Sequence, residues 1–291
     1  MPALADEGGA RMVPSPVTLP MTQSFTLHSQ HTGRDYLIEV ALPKAGAPRA
    51  GYPVLYALDG NARLPLLREA RETLTRGGPR GDGLPLIVVG IGYPGIDRFA
   101  ITARAEDYIP PGRDSADMSD DTPHGGADRF LAFIETELKP ALASRYALDR
   151  SRQSLFGHSY GGLFTLYVLL TCPECFRDYI AISPSLWWHR ERFFDDAVAA
   201  FADPGLCRKL KDRRVLMGVG ALEQTPMPEE RGTPKGERRR HNAMVDNARG
   251  MAEWLQRECL MLETRFTEFA NTDHGSVMWP AARWIMEAFE D

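Results

Sequence analysis

The sequence predicts an α/β protein, a mostly parallel sheet of about eight strands with helices on both faces. Short apolar runs of strand length alternate along the chain with amphipathic segments of helix length, a pattern typical of a parallel sheet that is covered on both sides. The chain has 291 residues, 43% of them hydrophobic, with neither internal repeats nor an internal linker. We therefore expect one large domain over residues 21–291, preceded by a flexible tail over residues 1–20.

Strands are expected where a short apolar run is bounded by turn residues. Such runs cover residues 24–28, 36–42, 54–58, 86–91, 153–156, 179–182, 215–219 and 262–269. The first two are expected to pair antiparallel. Helices are expected over residues 62–76, 128–146, 161–170, 242–258 and 277–289. The second of these carries an apolar residue every four positions from Phe130 to Tyr146 on one face.

Two segments are expected to lie outside this alternation. Residues 95–126 are rich in proline, glycine, aspartate and arginine, and a loop of that length is typical of a functional or mobile segment. Residues 227–240 are polar, proline-rich and basic. They follow the strand at 215–219 and are therefore expected to emerge at its carboxyl end.

Composition excludes several classes of function. The formal net charge is −5 and the pI is about 5.9, which gives no basic surface for nucleic acid. No apolar stretch approaches the roughly 18 residues of a membrane span. Residues 1–20 lack the basic start and apolar run of a secretory signal. A cytoplasmic protein is therefore expected, while a periplasmic chain whose signal has been removed would look the same.

The four cysteines are too few for a disulfide scaffold in a chain of this length. Cys172 and Cys175 form a CxxC pair at the end of an apolar helical run. A single pair is half of a zinc site, and a redox dithiol works best at the other end of a helix. Two ordinary thiols are the expected reading, and neither a metal nor a cofactor is predicted.

The strongest chemical signal is the motif G-x-S-x-G at residues 157–161. A predicted strand enters it and an apolar helix leaves it, which is the setting of the nucleophile elbow in the α/β-hydrolase fold. In that turn the serine is held in a strained conformation with its hydroxyl exposed at the end of the sheet. Ser159 is therefore the predicted nucleophile, and a chance glycine-rich turn is the alternative.

A serine hydroxyl needs a general base, and in this fold the base is a histidine late in the chain. His274 follows the last predicted strand and precedes the last helix, so its loop should open at the same sheet edge as the elbow. A helix-capping histidine is the alternative. The other six histidines fit the chain order less well, and His158 occupies the variable position of the motif.

The acid of a triad normally follows a strand after the one that carries the serine. Glu223 stands just beyond the predicted strand at 215–219 and is the first candidate. A carboxylate there would hold the imidazole tautomer and stabilise the imidazolium. Asp273 and Asp246 are weaker candidates, because the first adjoins His274 in sequence and the second lies on a predicted helix. A Ser–His dyad without an acid also remains open.

An oxyanion hole needs two backbone N–H groups. One should come from Tyr160, the residue after the nucleophile, and the other from the loop after the third strand. Residues 59–61 form that loop, and the N–H of Asn61 is the predicted donor. A simple strand-ending turn would use the same residues.

Several segments together resemble a known family. Residues 157–162, 52–61, 104–110, 183–188 and 273–275 are similar, in the same order, to the esterase D and feruloyl esterase-like family of α/β hydrolases. Within that family they resemble the siderophore esterase branch, and the resemblance covers about residues 21–291. It implies a serine-type carboxylic-ester hydrolase that needs no cofactor and that acts on cyclic catecholate trilactones such as enterobactin, salmochelin or bacillibactin. Some members manage with a Ser–His dyad.

A ferric catecholate is a large anion, which basic side chains near the site would attract. Arg98 and Arg104 in the long loop and Arg239 in the basic insertion are the candidates, and Trp187 could stack on aromatic acyl groups. A solvated charge run and a packed tryptophan are the alternatives. Feruloyl-type or general ester hydrolysis, acyl transfer, and a non-catalytic binding protein on the same scaffold also stay open. The sequence leaves the oligomeric state undetermined.

Overall fold

An eight-stranded sheet runs through the centre of the computed structural model, which describes residues 14–73, 83–111, 124–188 and 190–290. The strand order is β1-β2-β4-β3-β5-β6-β7-β8. The strands are β1 (Thr22–His28), β2 (Asp35–Ala41), β3 (Tyr52–Leu58), β4 (Ile87–Gly92), β5 (Leu148–His158), β6 (Asp178–Ile182), β7 (Arg214–Gly220) and β8 (Glu263–Phe269). β2 pairs antiparallel with β1 on one side and with β4 on the other, and all other pairs are parallel. The predicted fold class and the antiparallel opening pair are both confirmed.

Ten α-helices are found among the described residues. They are α1 (Gly60–Thr73), α2 (Ile101–Tyr108), α3 (Ala127–Phe133), α4 (Lys139–Ala143), α5 (Tyr160–Thr171), α6 (Arg190–Phe201), α7 (Pro204–Lys209), α8 (Pro234–Asn242), α9 (Met244–Glu258) and α10 (Met278–Glu287). A π-helical turn at Ile134–Leu138 joins α3 to α4, so the predicted helix over 128–146 is present but interrupted. Predicted residues 74–76 of the first helix lie outside the described ranges.

Alternating side chains of the central strands serve two separate cores. Leu55 and Ala57 of β3 pack with α1 and α10 on one face, whereas Val54 and Tyr56 pack with α3, α5 and α9 on the other. A strand that is buried on both faces reads as a continuous apolar run rather than as an alternation. The apolar runs of the sequence therefore locate the central strands.

Two predicted loops contain helices. α2 lies within the segment 95–126, and its buried side chains include Arg104, Asp107 and Tyr108. α8 lies within the basic insertion 227–240, and Thr233 caps it by accepting a hydrogen bond from Gly236 N. Arg104 and Asp107 of α2 are buried and paired with Asp59 and Arg34. A search for apolar periodicity therefore does not detect the buried face of this helix. Residues 112–123 of the long segment lie outside the described ranges.

The expectation of ordinary thiols is wrong. Cys172 is bonded to Cys175, and Cys207 is bonded to Cys259, which ties α7 to the end of α9. Cys207 and Cys259 are 52 positions apart, and sequence spacing does not reveal such a pairing. Within the described residues, no helix has the length and apolar character that crossing a bilayer requires.

Candidate active site

The predicted site residues gather at one edge of the sheet. β3, β5, β6, β7 and β8 run parallel, so their carboxyl ends share one edge. Asn61 follows β3, Ser159 follows β5, Glu223 follows β7 and His274 follows β8.

Ser159 occupies a strained turn between β5 and α5. Its backbone has φ 61° and ψ −119°, a region that residues other than glycine rarely adopt. The turn is held by a hydrogen bond of 3.0 Å from Ser159 N to Ile182 O on β6. A Cβ atom at Gly157 would lie 2.0 Å from the carbonyl oxygen of Gly161, so only glycine fits there. This is the geometry expected of a nucleophile elbow.

His274 and Glu223 form a hydrogen-bonded pair. Nδ1 of His274 lies 2.6 Å from Oε2 of Glu223, whose side chain is 1% exposed, while that of His274 is 46% exposed. Since an ionised carboxylate can only accept, Nδ1 carries the proton and Nε2 is left free of one in the neutral ring. His274 is thereby prepared to accept a proton through Nε2.

The other oxygen of Glu223 is also satisfied. Oε1 accepts hydrogen bonds from Ser183 Oγ and from the N–H of Gly220, the latter 2.7 Å long. The turn that carries Glu223 is joined to the histidine loop by a 2.9 Å hydrogen bond from Leu222 N to Thr272 O. These bonds hold the carboxylate in a fixed orientation and compensate for its burial.

The hydroxyl of Ser159 lies 3.2 Å from the hydroxyl of Ser185, a buried residue in the turn after β6. Ser185 also donates its backbone N–H to Ser159 O over 3.1 Å. Among the hydrogen bonds of the described residues, none joins Ser159 Oγ to His274. Such bonds are often long before substrate binds. The two loops are nevertheless adjacent, because the ring of His158 lies 4.5 Å from the ring of His274.

Asn61 lies in the first turn of α1, where backbone N–H groups have no acceptor within the helix. Its side chain binds the chain that follows β4: Oδ1 accepts from Tyr93 N over 2.8 Å, and Nδ2 donates to Tyr93 O and Ile96 O over 3.0 and 2.8 Å. Tyr160 begins α5 directly after Ser159. The two predicted oxyanion donors therefore lie at the starts of α1 and α5, just beyond the carboxyl ends of the paired strands β3 and β5.

Arg104 has a different place from the one expected of a substrate contact. Its guanidinium forms two hydrogen bonds of 2.8 Å with the carboxylate of Asp59, and both side chains are buried. It also lies 5.4 Å from the ring centre of Tyr160. Asp59 has φ 54° and precedes the turn that carries Asn61. Through Asp59, Arg104 thus stabilises the turn that carries the predicted oxyanion donor.

His158 and Arg63 form a further buried contact beneath the site. Nε2 of His158 lies 2.8 Å from the carbonyl oxygen of His274, and Nδ1 lies 3.0 Å from Nη2 of Arg63. Burial lowers the pKa of His158 well below its ordinary value, and the neighbouring His274 and Arg63 lower it further. Burial lowers the pKa of Arg63 to about 10.

The remaining predicted substrate contacts differ in their surroundings. Arg98 is exposed and lies against Phe99. Trp187 is half-buried, with its ring 6.1 Å from that of Tyr160. Arg239 donates to Leu222 O over 2.6 Å and forms an ion pair with Glu230. These bonds engage the Arg239 guanidinium within the protein and argue against its predicted contact with substrate.

Sequence reasoning missed four residues of this cluster: His158, Arg63, Ser183 and Ser185. His158 occupies the variable position of the motif, and Arg63 lies within the predicted helix over residues 62–76, where neither residue type is diagnostic of a role. The two serines lie in the segment 183–188, which carries part of the family resemblance. Their polar side chains just beyond a buried strand were the available signal.

Comparison with known proteins gives a consistent result. The family model described as Putative esterase matches residues 29–255. The ferri-bacillibactin esterase BesA of Bacillus subtilis is 35% identical over 271 residues, which are 90% of this chain and 86% of that protein. The siderophore triacetylfusarinine C esterase of Aspergillus fumigatus is 33% identical over 290 residues, which are 96% of each chain.

Two solved structures have the same architecture. The BES protein from Bacillus cereus superposes with a TM-score of 0.81 at 28% identity, over 96% of this chain and 99% of that one. The siderophore hydrolase EstB from Aspergillus nidulans gives a TM-score of 0.77 at 32% identity, over 95% and 97%. The sheet and its carboxyl edge are therefore shared along nearly the whole chain.

Proposed function

Because the chain belongs to the Putative esterase family and is a serine carboxylic-ester hydrolase, we propose that it hydrolyses the ester bonds of siderophores. We propose further that Ser159, His274 and Glu223 carry out this reaction. The observation that carries the assignment of residues is the buried Glu223 carboxylate on Nδ1 of His274, 2.6 Å away, beside the strained turn of Ser159. This pairing leaves Nε2 of the imidazole as the base, which the chemistry of an acyl-enzyme requires.

The first half-reaction forms an acyl-enzyme. Ser159 Oγ attacks the carbonyl carbon of the ester while Nε2 of His274 takes the hydroxyl proton. The carbonyl oxygen becomes an oxyanion that the N–H groups of Asn61 and Tyr160 stabilise. The tetrahedral species then collapses: the bond to the leaving alkoxide breaks, and the imidazolium returns its proton to that oxygen.

The second half-reaction releases the acid. His274 takes a proton from water, and the resulting hydroxide attacks the acyl carbon. Collapse of the second tetrahedral species breaks the bond to Ser159 Oγ, which receives the proton from His274. The side chain of His274 is 46% exposed, and this access to solvent supports water as the acceptor rather than a second alcohol. Hydrolysis is therefore favoured over acyl transfer.

The proposed substrates are siderophore esters, with catecholate trilactones foremost. The names of the two relatives described above, a ferri-bacillibactin esterase and a triacetylfusarinine C esterase, support this class. Arg98 is exposed on the segment that Asn61 anchors, where its charge would attract an anionic ferric complex. Trp187 beside Tyr160 offers an aromatic face next to the elbow.

A panel of esters tests the proposal. Purified protein is given ferric and iron-free catecholate trilactones, a feruloyl sugar, S-formylglutathione and p-nitrophenyl acetate, and product acids are quantified, with the Ser159→Ala variant as the blank. The expected result is the highest kcat/KM on a trilactone and no turnover by the variant. A fluorophosphonate probe should label the wild type at Ser159. Activity that persists in Ser159→Ala would refute the nucleophile, and indifference to trilactones would refute the substrate class.

The cytoplasmic location expected from the sequence remains a prediction. The two disulfides weigh against it, because such bonds persist mainly in oxidising compartments. Cell fractionation, with the thiols trapped by alkylation before lysis, separates the two locations.

A further inference from the structure

His158 sits where the nucleophile and the base loops meet. It is the last residue of β5 and directly precedes Ser159. Its side chain is almost fully buried, and both ring nitrogens have a partner. One partner is the guanidinium of Arg63 on α1, and the other is the backbone carbonyl of His274. The ring therefore links α1 to the loop of the general base.

These two partners fix the tautomer of His158. A carbonyl oxygen only accepts hydrogen bonds, so Nε2 must carry the proton that it donates to His274 O over 2.8 Å. A guanidinium only donates, so Nδ1 must be the acceptor, 3.0 Å from Nη2 of Arg63. The neutral ring with its proton on Nε2 satisfies both bonds, and no other state does.

The charges around His158 favour the same neutral state. The cations near His158 are Arg63 on α1 and Arg104 on α2, and both lower its pKa. The ring of His274, on the loop after β8, lies against the ring of His158. Asp59 is the acidic group that offsets these cations, and it is paired with Arg104. His158 thus remains a donor to His274 O without adding a positive charge beside the imidazolium that forms on His274 during catalysis.

We propose that His158 and Arg63 are positioning residues, which hold the backbone of His274 so that its imidazole is aimed at Ser159. This inference rests on the function proposed above. Glu223 orients the ring of His274, and His158 fixes its backbone, so the base is held at two points. The second point is needed because the His274 side chain is half-exposed, so fewer neighbouring atoms restrict it than would restrict a buried ring. A misplacement of about 1 Å at a reacting centre can lower turnover by about 100-fold.

The test uses two substitutions at His158. His158→Leu removes the donor to His274 O, and His158→Gln restores an N–H group on a side chain of similar reach. We expect kcat on p-nitrophenyl acetate to fall about 10- to 100-fold in His158→Leu with KM nearly unchanged. His158→Gln should recover most of that loss, since it again offers a donor. His28→Leu, on the exposed β1–β2 hairpin, is the matched control and should leave kcat unchanged.

Arg63→Met separates positioning from simple packing. Arg63→Met removes a buried cation whose Nε has no hydrogen-bond partner, which is favourable, but leaves Nδ1 of His158 without its donor, which is costly. These effects oppose each other, so the melting temperature should change little while kcat falls. The substitution should lower kcat in the wild-type background and have little further effect in the His158→Leu background, because Arg63 acts through His158. Independent effects in the two backgrounds would refute the proposed link.

Fluorophosphonate labelling distinguishes the two proposals. If Ser159→Ala keeps its activity and Ser159 is not labelled, the assignment of the active site fails. If those controls behave as expected and His158→Leu matches the wild type in kcat, only the positioning role is refuted. A loss in His158→Leu that His158→Gln does not reduce would also refute it. Should His158→Leu fail to fold, the Arg63→Met variant decides. A lower kcat at a melting temperature close to that of the wild type supports the positioning role, and an unchanged kcat refutes it.

Discussion

Glu223 Oε2 lies 2.6 Å from His274 Nδ1, and the other oxygen of the same carboxylate accepts bonds from Ser183 Oγ and Gly220 N. A buried carboxylate with three donors has no freedom to turn away from the imidazole. Its orientation defines which nitrogen of His274 carries the proton in the neutral ring. The geometry therefore favours a Ser–His–Glu triad over a dyad.

Glu223→Gln tests the triad directly. Gln Oε1 would keep the bonds from Ser183 and Gly220, which leaves its amide N–H facing Nδ1 of His274. That donor favours the tautomer with the proton on Nε2, which cannot accept from Ser159. We expect kcat to fall by about 10²- to 10⁴-fold, as happens when triad tautomers are reversed, with the same melting temperature. Steady-state hydrolysis and circular dichroism measure the two quantities.

Asp246→Asn is the matched control, because Asp246 was an alternative acid and its side chain lies on α9 in contact with Gln224. Its kcat should remain within about twofold of the wild type. A loss of less than tenfold in Glu223→Gln would favour a working dyad, and the role of Glu223 would then be limited to structure.

Asn61→Ala should damage the oxyanion turn. The substitution removes three hydrogen bonds to Tyr93 and Ile96, which fix the first turn of α1 and hence the N–H of residue 61. A misplaced oxyanion donor affects the transition state more than the ground state, so kcat should drop about tenfold or more and KM should change less. Asn242→Ala on α8 serves as the control. Equal changes in KM and kcat/KM at constant kcat would contradict this role.

Buried His158 makes stability depend on pH. Its pKa in the folded protein lies below that in the unfolded chain, which is about 6.5. Below that value the unfolded chain binds a proton that the folded protein does not, so the free energy of unfolding falls as the pH decreases. The slope from this one group is at most about 1.4 kcal/mol per pH unit. Above pH 7.5 the contribution vanishes.

Urea unfolding at pH 7.5, 6.0 and 5.0 measures this contribution when the wild type is compared with His158→Gln. All other titrating groups contribute to both proteins, so the difference isolates His158. The wild type should lose more stability than the variant between pH 7.5 and 5.0. Parallel curves would show that His158 is protonated in the folded state as readily as in the unfolded chain.

The Cys207–Cys259 disulfide should be the main covalent contribution to stability. It closes a loop of 52 residues, for which chain entropy predicts about 4 kcal/mol. The double substitution Cys207→Ser, Cys259→Ser should lower the free energy of unfolding by about that amount. Cys172→Ser, Cys175→Ser, which opens a separation of three, should cost less than about 2 kcal/mol. Thiol titration of the unfolded, unreduced wild type should detect no free thiol. Two free thiols would contradict one of the bonds, and four would contradict both.

Much of the architecture could be predicted because the local signals and the global fold agree. Ser159 lies between a buried strand and an apolar helix, and only a sharp turn joins such elements. The order of Ser159, Glu223 and His274 along the chain follows the order of parallel strands in the sheet. Those relationships depend on backbone connectivity, which the sequence carries explicitly.

Side-chain partnerships are less visible in the sequence. Arg104 and Arg239 read as surface charges, yet each is paired within the fold, with Asp59 and Glu230. His158 read as a variable position because its two partners, Arg63 and His274, are distant in the chain. A single sequence gives no measure of which long-range pairs form, so charge alone suggested solvent or substrate as the partner.

The missing side chain at Gly157 also limits how this enzyme could be diversified. A β-carbon there would lie 2.0 Å from the carbonyl oxygen of Gly161, so any replacement must push the first turn of α5 away from β5. A combinatorial library aimed at new acyl groups should keep that codon invariant. Randomising Arg98 and Trp187 instead would alter the rim and leave the reacting atoms in register.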